Sequence, residues 1–243
     1  SIDVTRACNM PGVLRVVTAR DVPGQRFVGL VEQDWPVYIA VGETTRYIGD
    51  VLACVVAASE EQARAAVAAV DIEYEVLPPL VEMTEAEASP VQVHPDRPNL
   101  AGRCAITRGG DAGAALAASA YVSRGVYETQ RIEHAFLETE CAIAEPWNGD
   151  GIRLFTQSQG VYEDRKQIAS FLGLSGEQVD VVLVPAGGGF GGKEDLTVQG
   201  HAALAAWLVK RPVKVRLTRP ESLTMHPKRH PFRMEYEVGC DRH

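Results

Sequence analysis

The stretch PAGGGFGGKED, residues 185–195, sits between a strand-like run, VDVVLV, and a run of helix formers, DLTVQGHAALAAWLVK. Five glycines broken only by Phe190 let a backbone adopt positive φ and approach a ligand closely. Their N–H groups can then converge on an oxyanion, and a helix starting near Asp195 would add its positive end. A bland alternative is close packing of a strand against a helix. Gly187 to Lys193 also fits G-x-x-x-x-G-K, and Gly187, Gly189 and Gly192 fit G-x-G-x-x-G. A third reading makes the loop the amide-rich wall of a metal-oxo site, with Glu194 facing a substrate.

The phosphate-cradle reading fails on chemistry. After the lysine such loops place Ser or Thr on Mg²⁺, whereas Glu194 would set a carboxylate against the phosphates. The dinucleotide reading fails less sharply. Pro185 and Ala186 separate strand from first glycine, and the next strand carries no ribose-binding acid. It ends at Arg219, which would suit a ribose phosphate, so an NADP-binding oxidoreductase stays as the alternative.

The flanking pattern predicts a mixed α/β (α+β) fold. Strands are expected at 13–17, 51–57 and 71–77, with a helix between the last two capped by Ser59. Residues 89–111, with three prolines and three glycines, read as a linker. Asp111 caps a short helix, and an extended segment or hairpin follows from Tyr121. Then come a strand at 151–157, a helix at 161–172 closed by Gly173, a strand at 179–184, the loop and its helix, and a strand at 213–218. A net charge of −8 argues against a nucleic-acid partner, and no run of about eighteen apolar residues offers a membrane span. Five scattered cysteines read as thiols of a reducing cytoplasm. They leave no iron–sulfur cluster to this chain alone.

GGGFGGKE resembles the signature of the molybdenum hydroxylases, the xanthine dehydrogenase/oxidase family. TRYIGDVLACVVAASEEQARAAVAAVDIEYEVLPPLVE is similar to the family's hammerhead domain. IEHAFLETECAIAEP, LFTQSQGVYEDRKQIASFLGL and RPVKVRLTRPESLTMHPKRHPFRMEYEVG resemble successive blocks of its first molybdopterin-binding domain. The resemblance implies a small hammerhead-like α/β domain at 1–88, the linker at 89–111, and the first part of a mixed α/β molybdopterin-binding domain at 112–243.

It also implies roles. Gln159, thirty-one positions before Phe190, matches the glutamine that hydrogen-bonds an oxygen ligand of molybdenum; Gln157 is the neighbour that could be mistaken for it. Gly189, Phe190 and Gly191 match the loop whose backbone lies against the metal's oxo group. Gln159 and Phe190 thus contact the metal's ligands rather than the metal. Glu194 matches the glutamate turned toward a purine-like N-heterocycle, with a carboxylate near a helix N-terminus as its bland reading. Lys193 could pair with it. Glu133, His134 and Glu138 read as packing and hydrogen-bonding residues, His226 and His230 as solvent-facing loop residues, and His201 as a packed or partly exposed ring.

The implied cofactor is molybdopterin with molybdenum, in the cytosine dinucleotide form. Water is the source of oxygen, and [2Fe-2S] and FAD lie on partner subunits. The base glutamate of the family falls beyond residue 243, so no catalytic residue is expected here. The chain would act with the remaining molybdopterin-binding portion, an iron–sulfur subunit and an FAD subunit. Its rival is a non-catalytic scaffold of such a complex.

Overall fold

The structure is a computed structural model describing residues 1–242. The chain forms two compact units, one of Ser1–Val76 with His134–Pro227, the other of Leu77–Glu133 with the segment from Lys228 onward.

The first unit is built on a four-stranded sheet in the order Val179–Leu183, Gly151–Thr156, Cys141–Trp147, Val213–Arg216. The first two strands are parallel, Val179 opposite Ile152; the other neighbours are antiparallel. Parallel neighbours need a crossover, supplied by the helix Val161–Leu172, which ends on Gly173 at φ +65°. A left-handed residue there lets the chain leave the helix while satisfying its last carbonyls.

The helix Gln199–Val209 is apolar nearly all round and buries His201 through Ala206, as a helix with no solvent face must. Ile152, Leu154, Ile168, Phe171 and Leu204 form one core with Val17, Val37, Tyr38 and Val56 from the N-terminal segment. There Val13–Thr18 pairs antiparallel with Ala53–Ala57, and the Ser59 hydroxyl accepts from Gln62 N–H to cap Glu60–Val67. That oxygen satisfies a helix N–H that has no partner within the helix.

In the second unit Tyr121–Thr129 pairs antiparallel with Phe232–Cys240. Arg124 meets Glu237 at 3.0 Å, and the Tyr127 and Tyr236 rings stack edge-on. Asp111 caps Ala112–Ala118 through Ala114 N–H.

Several sequence expectations give way. The strand expected at 71–77 is formed over Asp71–Ile72, which pairs antiparallel with Ile2–Asp3. Glu73 N–H also reaches Ser1 O, at 3.0 Å. The strand at 213–218 ends at Arg216. Thr218 instead caps a helix, Arg219–Met225, through a reciprocal pair with Glu221, so Arg219 ends no strand. The helix expected from Asp195 starts at Gln199, with no acidic residue in its first turn. Glu194 therefore owes nothing to a helix dipole.

Candidate functional site

Both parallel strands point their C-terminal ends at the glycine loop, the edge where open α/β sheets hold ligands. Val184 N–H donates to Thr156 O at 2.9 Å, keeping the two chain exits side by side. Beyond them Gln159 and the loop lock together. Gln159 N–H donates to Lys193 O at 2.9 Å, while Gln159 Oε1 accepts from Gly191 N–H at 3.1 Å and Lys193 N–H at 3.2 Å. With its oxygen held by two donors, the amide can aim only its Nε2 protons elsewhere. Gln159 is exposed.

The loop conformation depends on glycine at particular points. Gly188 and Gly191 have φ of +97° and +85°, and Gly192 N–H closes a turn onto Gly189 O at 2.8 Å. Phe190 itself sits at φ +52° and is 75% exposed, a strained backbone with nothing buried to repay it locally. A Cβ on Gly189 would lie 2.5 Å from Gln159 Oε1. That atom ends a flexible side chain, so Gly189→Ala is expected to preserve the fold and push Gln159 aside. Losing one hydrogen bond of about 1 kcal/mol speeds amide exchange of Gly191 and Lys193 about fivefold. Wild-type exchange rates in that variant would contradict the anchoring.

Lys193 does not pair with Glu194. Only 3% exposed, it turns inward, donating to Gln157 Oε1 at 2.9 Å and Glu138 O at 2.8 Å, with Nζ 4.4 Å from the centre of the Phe136 ring. Burial pushes its pKa down, against the pull of the Glu138 and Glu140 charges. Glu138 also clamps the loop's start, its Oε2 accepting from Gly187 N–H at 2.8 Å. Glu194 is exposed at the loop's end, its carbonyl beside Gly160. Gln159, Gly189, Phe190 and Gly191 thus form one continuous surface; Gln157 lies beneath it.

His226, expected in solvent, is buried with Nδ1 3.0 Å from Glu140 Oε1. Burial pushes the Glu140 carboxyl up, but hydrogen bonds from His226 and Ser222 outweigh it and hold its pKa low. His201 is buried edge-on to Tyr38, and His230 is exposed. Asp164, one turn into the helix after Gly160, is fully buried. Burial pushes its pKa up to about 7 despite a hydrogen bond from Ser158.

An acid whose native pKa exceeds its unfolded value binds more protons when folded, so its contribution to stability falls as pH rises from about 4 to 7. Asp164→Asn is expected to remove that fall, read as the difference in unfolding free energy between wild type and variant. His201, pushed down to about 4 by burial, acts in the opposite sense but is common to both proteins. A difference constant with pH would refute the assignment.

The donor set fits a cofactor bearing oxygen ligands. Gln159 Nε2 has no partner among the described residues, and Gly191 has nothing within 4 Å of where a Cβ would stand. An amide donor fixed in place beside open space is what an electrostatic clamp on an oxygen requires.

Residues 93–243 match the family model for a molybdopterin cofactor-binding domain. Residues 1–78 match that for the a/b hammerhead domain of aldehyde oxidase and xanthine dehydrogenase. The chain is 36% identical over 241 residues to a probable xanthine dehydrogenase subunit from Bacillus subtilis, covering 99% of this chain and 32% of that protein. It is 32% identical to the nicotinate dehydrogenase large molybdopterin subunit of Eubacterium barkeri, covering all of this chain and 56% of the other. Among solved structures, aldehyde oxidoreductase from Desulfovibrio gigas superposes with a TM-score of 0.93 at 29% identity, over 99% of this chain and 28% of that one. Quinoline 2-oxidoreductase from Pseudomonas putida 86 gives 0.84 at 27%, over 99% and 32%. The chain spans between about a quarter and a half of the length of these proteins. With its hammerhead and molybdopterin cofactor-binding domains, the chain belongs to the molybdenum hydroxylase family of xanthine dehydrogenase and aldehyde oxidase.

Proposed function

We propose that this chain forms one wall of the molybdenum site of a hydroxylase acting on a purine-like N-heterocycle, with water as the oxygen source. The observation that carries the reading is the Gln159 amide, its oxygen fixed by Gly191 and Lys193 N–H and its nitrogen free to donate. When bound, the cofactor supplies the redox centre at which an electron-poor carbon is oxidised. Gln159 and the backbone of Gly189, Phe190 and Gly191 hold and orient it. Glu194, exposed at the end of the same loop, accepts from ring N–H groups and so sets which carbon is presented. The family's proton-accepting glutamate comes from the remaining molybdopterin-binding portion.

Relatives named for xanthine, nicotinate and quinoline support a heterocyclic substrate, while the aldehyde oxidoreductase fold supports the site more than the substrate. The same reading places the pterin in its cytosine dinucleotide form and [2Fe-2S] and FAD on partner subunits. It assigns residues 1–88, 89–111 and 112–243 to hammerhead, linker and cofactor-binding portion. Five free cysteines suit the cytoplasm, and among the described residues no helix is long and apolar enough to cross a membrane.

Glu194→Gln in the complete enzyme is expected to lower kcat/KM for an N-heterocycle about 10- to 100-fold, the loss of one charge-assisted contact of about 1.5–3 kcal/mol. Molybdenum content should not change. Unaltered turnover would remove Glu194 from substrate orientation.

A further inference from the structure

We propose that Lys193 is a positioning residue, its buried ammonium setting the height and orientation of the Gln159 amide against the cofactor. The proposal rests on the reading of the loop as the cofactor's wall. A cation buried under an exposed loop is costly unless it is well coordinated, and Lys193 is held on three sides. Its Nζ donates to Gln157 Oε1 at 2.9 Å and Glu138 O at 2.8 Å, and the Phe136 ring face lies 4.4 Å away.

Both acceptors belong to parts of the site. Gln157 immediately follows the strand Gly151–Thr156 and is two residues from Gln159. Glu138 clamps Gly187 at the loop's start. The main chain of the same lysine completes the link, since its N–H donates to Gln159 Oε1 at 3.2 Å and its carbonyl accepts from Gln159 N–H at 2.9 Å. Lys193 is therefore bonded at both ends of the segment that carries Gln159. Losing the Nζ bonds would free the buried stem of Lys193 and loosen the peptide N–H that holds the Gln159 oxygen. An ammonium needed only for folding would not have to share its own peptide groups with the outward glutamine.

The test uses the complete molybdenum enzyme and compares wild type with K193M, Q157L and the double variant. Methionine keeps the length and apolar stem of lysine while removing its donors. K193M is expected to retain full molybdenum, to give an altered and heterogeneous Mo(V) electron paramagnetic resonance signal, and to lower kcat about tenfold with KM within about twofold. Q157L should alter the same signal, and the double variant should be no worse than K193M, because both remove one link. A wild-type signal and wild-type kcat in K193M at full molybdenum would overturn the proposal. If K193M does not fold, the signal of Q157L decides: altered supports the link, unaltered overturns it. Wild-type enzyme without molybdenum would overturn the underlying reading, and this proposal with it.

Discussion

Gln159→Ala in the complete enzyme is expected to lower kcat about 10²- to 10³-fold, as removal of one preorganised donor does elsewhere. Molybdenum content and the melting temperature should change little. The side chain is exposed, so its truncation leaves no core cavity. The Gly191 N–H it releases belongs to an exposed residue and can turn to water. Gln157→Ala removes an acceptor from a buried ammonium and should cost stability as well as rate. The pair of variants therefore separates the donor that faces outward from the acceptor that faces inward. Equal melting temperatures for the two, or a Gln159→Ala enzyme with wild-type kcat, would contradict the assignment.

Phe171→Ala is expected to cost about 3–5 kcal/mol of unfolding free energy, a large share of the stability of an ordinary domain. The ring is fully buried and reaches the helix Gln199–Val209 near Gly200. Its own carbonyl accepts from Gly24 N–H at 3.1 Å, so the N-terminal segment docks at this residue. A Cβ on Gly24 would meet Ser170 O at 2.1 Å, which leaves that junction no room to collapse around a cavity. Denaturant unfolding reads the loss. A comparison with Phe190→Gly, which truncates an exposed ring at φ +52° and should cost under about 1 kcal/mol, separates burial from ring size. A loss for Phe171→Ala no greater than that would show that the core is held elsewhere.

Much of this frame was legible where local chemistry decides. Gly173 stops its helix at Leu172 because a left-handed residue is needed there, and Ser59 and Asp111 cap because their oxygens are in reach of free N–H groups. The glycine loop named its own position between strand and helix. Partners far away in sequence decided the rest. Asp71–Ile72 finds its partner in Ile2–Asp3, at the far end of this segment, which no periodicity at 71–77 reveals. His226 is buried because Glu140, eighty-six positions earlier, lies 3.0 Å from it. At the site, the resemblance proposed Gln159 and the glycines, which the structure brings together, but it suggested Glu194 as the partner of Lys193. Its inward turn depends on Gln157 and Glu138, brought beneath it by sheet pairing. The one signal available was the lysine itself, charged and set directly against a run of glycines.

The most direct measurement is elemental analysis for molybdenum in the complex captured from its native host through this chain, with its partner proteins identified alongside. Stoichiometric molybdenum, together with the remaining molybdopterin-binding portion, is the expected result. An intact complex without molybdenum would contradict it, leaving the Gln159 amide with no cofactor to face and the chain as a scaffold.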